Sequence, residues 1–174
     1  MKIIWRDFGH NDQKRIDAWL SPRERRFLCM EQKNWLETSK EINDCLMYAT
    51  DGQFRDVIGY VNNIPVVAMM FGVENSGKVL KLYNVAVAPD YRDKGVATQA
   101  IKDFMRADKI FCIEKTYDRF ETVVYPDNLG MAKVLLKSGF NAQTKFFSNE
   151  RFLEFKKPVY IKKVRPVNNY ILGV

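Results

Sequence analysis

Apolar and polar positions along the 174 residues alternate in two periods, and the switches between them mark the elements. Lys2 to Phe8 alternates well enough for a first strand. Asn11 to Leu20 carries Ile16, Trp19 and Leu20 at helical spacing, with Asp12 near its start. Ser21-Pro22 opens a second helix running to Met30. Gln32 to Lys40 continues as a third helix or as an extension, with Trp35 and Leu36 apolar. Cys45 to Thr50 predicts a short strand closed by Asp51-Gly52. A meander of three strands follows: Phe54 to Val61, Pro65 to Glu74 and Val79 to Ala88, separated by Asn62-Asn63 and Asn75-Ser76-Gly77. Gly95 to Ala107 is helical, with Ile101, Phe104 and Met105 apolar. A strand over Thr122 to Tyr125, a helix opened by Asn128 and a strand over Phe140 to Phe147 complete the recognisable core. Arg151 to Phe155 and Val159 to Val164 complete the sheet or form an appended hairpin. No internal repeat or low-complexity linker interrupts the chain, and its length predicts one domain.

The most informative stretch is Val85-Ala86-Val87-Ala88-Pro89-Asp90-Tyr91-Arg92-Asp93-Lys94-Gly95-Val96-Ala97-Thr98. A strand stops at a proline, a charged turn follows, and a small-residue segment opens a helix. The first amides of a helix have no partners within it, and the macrodipole adds partial positive charge there. That end is an anion cradle fit for a pyrophosphate, provided nothing bulky intervenes. Gly95 and Ala97 keep the backbone open, and Arg92 adds a charge at the rim. Downstream, Pro126-Asp127-Asn128 is a turn and helix-start signal. Met131, Val134, Leu135 and Ser138 recur at helical spacing, and Gly139 stands where a left-handed residue ends a helix before Phe140.

The first stretch resembles the coenzyme A signature of the GNAT N-acetyltransferases, (Arg/Gln)-x-x-Gly-x-(Gly/Ala), filled here by Arg92, Gly95 and Ala97. The second, Asn128 through Lys137-Ser138-Gly139-Phe140, is similar to that family's later element, in which an Asn opens a helix and Lys-x-Gly-Phe closes it. The resemblance spans roughly Phe54 to Phe147. It implies an α/β fold, a mixed central sheet with helices on both faces, and transfer of an acetyl group from acetyl-CoA to an amine by direct attack in a ternary complex. It also implies a division into an acceptor-side part (1–53), an acyl-CoA-binding core (54–147) and a basic C-terminal part (148–174). The implied coenzyme contacts are Val85, Ala86 and Val87 for the pantetheine arm, Arg92, Asp93, Lys94, Gly95, Val96, Ala97 and Thr98 for the phosphates, and Asn128. Neighbouring strands part beside Tyr83 to Val87 in such a fold, which gives a motive for a bulge there.

The familiar catalysts do not carry over. Many members place a Tyr seven residues after the helix-opening Asn, and this chain has Leu135. Several place a Glu on the central strand, where this chain has Lys81. Tyr125, at the end of a strand just before the second motif, is the first substitute as general acid. Tyr83 and Glu74 are further candidates, and an ordered water chain is another route for the proton.

Composition narrows the classes. At 47% hydrophobic and 28% charged residues the chain has material for a real core and no apolar run long enough to span a membrane. Cys29, Cys45 and Cys112 form no Cys-x-x-Cys pair and read as reduced thiols of a cytoplasmic protein. With His10 the single histidine, in a turn setting, no metal site is expected. The start is charged too early for a secretory signal. Of the net +7, residues 145–174 hold seven basic and two acidic side chains. That is read as a solvated edge, or as a docking face for an acidic partner: the phosphates of coenzyme A, or RNA, as in acetylation of aminoacyl-tRNA, although no aromatic-basic module accompanies it. The expected acceptor is a small-molecule amine or a protein amino group. A non-catalytic coenzyme-binding protein is the alternative, and either a monomer or a homodimer is compatible. Gly72 to Lys78 has P-loop spacing, but Val79 replaces the magnesium-binding hydroxyl and a strand follows, so a hairpin turn is expected.

Overall fold

The computed structural model describes residues 1–50, 53–74, 77–147 and 150–159. Strand β1 (Ile4–Asp7) leads through a 3-10 turn at His10–Asp12 into helices α1 (Gln13–Trp19), α2 (Pro22–Phe27) and α3 (Trp35–Thr50). The meander β2 (Phe54–Val61), β3 (Ile64–Glu74) and β4 (Val79–Val87) follows, then α4 (Val96–Phe104), a short α5 (Ala107–Ile110), β5 (Arg119–Val124), α6 (Leu129–Lys137), β6 (Asn141–Phe147) and β7 (Glu150–Pro158). The seven strands lie in the order β1-β2-β3-β4-β5-β7-β6. Every neighbouring pair is antiparallel except β4 and β5.

Helices cover both faces. On one, Val96, Ala100, Ile101 and Phe104 of α4 and Ala132 and Leu135 of α6 close over Phe71, Leu80, Leu82, Phe120 and Phe155. Phe71 and Phe104 meet edge-on with centroids 5.6 Å apart. On the other, Ile16, Trp19, Leu20, Met30 and Trp35 pack on Ile58, Ala68, Met70 and Ala86. Trp35, fully buried, donates its indole N–H to Asp56 Oδ1 at 2.9 Å and so pins α3 to β2. Burial pushes the Asp56 carboxyl up to about 6, against hydrogen bonds from Ser39 and Trp35 that favour its charged form.

Local chemistry explains most boundaries. Ser21 and Glu24 form a reciprocal capping box with Pro22 in the first turn, starting α2. Asn128 Oδ1 accepts from the Met131 amide at 3.2 Å, starting α6. At its other end Gly139 has φ +82. The amides of Gly139 and Phe140 return to Leu136 and Leu135 oxygens at 3.0 and 3.1 Å, the Schellman pattern.

Several boundaries differ from the sequence expectation. Residues 45–50 are the last turns of α3 and not a strand. No Gly or Pro interrupts 35–50, and a helix already nucleated on the buried Trp35–Ser39 face propagates until a breaker arrives. Helix α2 ends at Phe27 rather than Met30, with Cys29 at φ +53 turning the chain. A turn at Met105–Arg106 divides the expected long helix into α4 and α5. Strand β5 begins at Arg119, three residues earlier than expected. The expected strand over 159–164 lies, apart from Val159, outside the described residues. In the P-loop-like segment, Gly72 is in β3 and Lys78 directly precedes β4, so the flanks are strands. No helix among the described residues is long and apolar enough to cross a membrane.

Candidate active site

Strand β4 carries the key irregularity. Its register with β3 slips between Met70↔Asn84 and Phe71↔Leu82, leaving Tyr83 as an extra residue. Tyr83 and Asn84 therefore both face the α1–α3 layer, and Val85 turns back to the α4–α6 side. On the other edge of β4, pairing with β5 stops at Leu82↔Thr122, while β5 continues beside β7. Backbone groups of 83–87 on that edge face a gap rather than a strand.

A cleft of about 680 Å³ opens there. Val85, Ala86 and Val87 form its floor. Arg92, Asp93, Gly95, Val96, Ala97 and Thr98 form one wall and Asn128, Met131, Lys133, Val134 and Lys137 the other, with Leu20, Glu24 and Phe27 closing the α1–α2 side. At the head of α4 the Gln99 amide reaches Gly95 oxygen at 3.0 Å, so the amides of Val96, Ala97 and Thr98 lack intrahelical acceptors. Gly95 has φ +80, and a Cβ there would meet nothing within 4 Å. The helix end is open to a ligand, and any side chain at 95 would project into that space. Asp93, at φ +57, adds a second left-handed residue to the turn.

Ten of the eleven coenzyme residues expected from the sequence thus line one cleft. Lys94 does not: its ammonium sits 5.6 Å above the Tyr91 ring. Arg92 lines the wall, but its guanidinium is held inside the chain. Nε donates to Val87 oxygen at 3.2 Å, Nη2 to Trp19 oxygen at 2.7 Å, and Nη1 pairs with Glu24. It ties α1, α2 and the end of β4 together, where the sequence reading had a free charge at the rim.

Neither catalytic candidate lines this cleft. Tyr83 points to the α1–α3 face and donates its hydroxyl to Glu74 Oε1 at 2.5 Å, and Lys81 donates to the same carboxylate at 3.1 Å. Burial, then that hydrogen bond, raises the Tyr83 phenol above its ordinary range. Tyr125 stands just outside, its ring 6.4 Å from that of Phe27, which does line the cleft. It borders a shallow recess of about 330 Å³ with Arg26, Asp127, Glu150 and Arg151. Its hydroxyl lies 3.7 Å from Cys29 Sγ, its ring is 4.8 Å from Phe152, and the Arg26 guanidinium covers it at 5.2 Å. Burial, then contact with the Cys29 thiol, raises this phenol too, so it is protonated at neutral pH. Leu135, on the core-facing side of α6, is fully buried.

Sequence reasoning missed three features. Asn84 is 6% exposed, and among the described residues its amide nitrogen meets the sulfurs of Met30 and Met70, at 4.0 and 3.8 Å. Glu24 joins the wall through Arg92. Lys133 and Lys137 join it from α6, a pairing visible in the sequence as two lysines four residues apart on the helix opened by Asn128.

A coenzyme-sized cleft between parting strands, headed by an open helix end, defines a class that binds an acyl-coenzyme on a mixed sheet. The acetyltransferase (GNAT) family matches residues 2–140, and the chain belongs to that family of acetyl-CoA-dependent N-acetyltransferases. Among solved structures it is similar to aminoglycoside acetyltransferase AAC(6')-Ib in complex with coenzyme A, with a TM-score of 0.70 at 15% identity, over 90% of this chain and 95% of that one. The same enzyme with coenzyme A and kanamycin matches at a TM-score of 0.67 and 14% identity, over 90% and 95%. The GNAT domain of S. lividans PAT matches at 0.64 and 13%, over 89% of each chain. These likenesses concern the fold. A comparison with curated proteins finds no match.

Proposed function

We propose that this chain acetylates a primary amine, of a small molecule or a protein, held between the cleft floor and the α1–α2 wall. The observation that carries the reading is the juxtaposition of the Tyr83 bulge, the gap beyond Leu82 and the open head of α4. Together they offer unpaired backbone groups for a pantetheine arm and free amides for a pyrophosphate. The amine attacks the thioester carbonyl directly, so most of the rate comes from alignment. Residues 1–53 serve as the acceptor side, 54–147 as the coenzyme core and 148–174 as the basic C-terminal part. AAC(6')-Ib, solved with kanamycin, supports a small polyamine-like acceptor.

Proton transfers are divided among groups in the cleft and just outside it. Glu24 is committed to Arg92 and the Ser21 amide, which argues against it as a base. Tyr125, protonated and beside Phe27, is the group suited to return a proton to the leaving thiolate, and water takes the proton of the amine. Of the basic C-terminal residues, Lys156 pairs with Glu154 and Glu121 and Lys157 donates to Ser138 oxygen, while Lys162, Lys163 and Arg165 lie outside the described residues. The burial of Leu135 where relatives carry a Tyr favours the second reading, a coenzyme binder without turnover.

Thiol release from acetyl-CoA with lysine, spermidine and kanamycin as acceptors separates the two readings. Amine-dependent release reduced about 10- to 100-fold by Tyr125→Phe is expected. Release no faster than with water, in a protein that binds the coenzyme, would establish the binder instead.

A further inference from the structure

Most buried polar side chains in this fold have strong partners. Asp12 accepts from Arg6 and the Gly9 amide, Thr38 donates to Asn34 oxygen and Ser39 to Asp56. Asp103 accepts from Trp5 and Gln99, and Glu154 from Lys145 and Gln143. Thr122 and Asn84 are left over among the described residues. Thr122 lies on the α4–α6 face, between Phe120 and Val124 of that core. Asn84 faces the α1–α3 layer, and its contacts there are the thioethers of Met30 and Met70, both fully buried.

A thioether accepts, weakly, and never donates, so the sulfurs take the Nδ2 end of the carboxamide. Oδ1 is left without a donor among the described residues. It is not sealed off: the Tyr117 hydroxyl is the one side-chain oxygen or nitrogen among those residues that is both closed to solvent and unpartnered. A carboxamide held in this way costs stability, because it gives up good hydrogen bonds to water for poor ones or none. Leucine has the same branching and no such cost, so packing does not call for Asn84. Its surroundings supply a reason. The register slip turns Asn84 to this face just past Leu82, where β4 parts from β5, and its neighbour Val85 is cleft floor. Met30 follows Cys29, whose Sγ is 3.7 Å from the Tyr125 hydroxyl. A short stretch of chain thus joins Asn84 on β4 to Tyr125 beyond the end of β5, across the gap between the strands.

We propose that Asn84 Oδ1 accepts a hydrogen bond from the attacking amine and aims its lone pair at the thioester carbonyl. This rests on the N-acetyl-transfer reading above. The amine nitrogen bonds the acetyl carbon and the carbon–sulfur bond breaks. One amine proton leaves to water, and Tyr125 protonates the thiolate. The neutral carboxamide takes no proton and holds a second N–H throughout. That N–H becomes a better donor as positive charge grows on nitrogen, so the contact is tighter in the transition state than before it. Its loss costs about 10- to 100-fold in kcat/KM for the amine.

The test combines amine-dependent thiol release with lysine, spermidine and kanamycin, calorimetric titration of acetyl-CoA, and urea unfolding, on the wild type, Asn84→Leu and Asn84→Ala. Both variants should lose about 10- to 100-fold in kcat/KM for the amine while binding acetyl-CoA within about twofold of the wild type. The Leu variant should unfold at a urea midpoint no lower than that of the wild type, whereas a residue kept for packing would lose stability and keep turnover. Wild-type kcat/KM in either folded variant would overturn the proposal and leave N-acetyl transfer standing. So would a loss of acetyl-CoA affinity in step with turnover in both. A wild type that binds acetyl-CoA but shows no amine-dependent release would remove the transfer reading itself, and this inference with it.

Discussion

Arg92 offers the sharpest separation between what a motif implies and what a side chain does here. Replacing it by Met keeps the aliphatic stem and removes the guanidinium, freeing Trp19 oxygen, Val87 oxygen and the Glu24 carboxylate. The Arg92 side chain is 36% exposed and that of Glu24 27%, so water softens each loss. Three charge-assisted contacts at about 0.5–1.5 kcal/mol each give a destabilisation of about 2–3 kcal/mol. For a domain of this size that is a fall in Tm of roughly 4–12 °C. Urea unfolding of the wild type, Arg92→Met, Glu24→Gln and the double variant measures it, and the cycle should show a coupling of about 0.5–1 kcal/mol. If Arg92→Met unfolds at the wild-type midpoint and only coenzyme affinity falls, the guanidinium serves the ligand and the tie to α1 and α2 is refuted.

Three other outcomes follow from the same geometry. Leu135→Tyr, which restores the residue type many relatives carry, should not improve turnover. The side chain is fully buried, and overpacking there should cost about 1–3 kcal/mol by urea unfolding. Asp56, with its carboxyl raised to about 6, holds its proton more tightly folded than unfolded, so stability should fall as pH rises from about 4 to 6 and level off above. Asp56→Asn should flatten that slope, and an unchanged slope would remove Asp56 as its source. Glu154 works in the opposite sense. Burial opposes its charge, yet hydrogen bonds from Lys145, Gln143 and Lys156 hold it at about 2. Its contribution is therefore present above about pH 4.5 and lost as pH falls toward 2, a loss that Glu154→Gln should abolish in acid unfolding.

The sheet and the cradle were legible in the sequence because their signals are local. Period-two runs bounded by Asn62-Asn63 and Pro89, an Asn cap at 128 and a left-handed Gly139 each fix a conformation without distant help. The misread turns of α3 had no such punctuation. Cys45 to Thr50 has a residue content that suits either state, and the helix wins by continuation from Trp35. Side-chain roles were less legible. Arg92 looks identical in sequence whether it meets a phosphate or the end of α1, because Trp19 lies 73 residues away. The bulge was anticipated, but its effect was not: the extra residue sends both Tyr83 and Asn84 to one face, which no alternation pattern foretells. Lys133 and Lys137 become a pair in a cleft only once α6 is laid against the gap between β4 and β5.

The central claim, that the head of α4 is the coenzyme's pyrophosphate seat, is tested most directly by titrating coenzyme A into the wild type and Gly95→Trp. A Cβ at 95 meets no protein atom within 4 Å, so the variant is expected to fold, losing about 1–2 kcal/mol to its left-handed φ of +80. The indole should fill the cradle and abolish binding that the wild type shows. Equal binding by a folded Gly95→Trp would contradict the account, because the phosphates would then lie elsewhere.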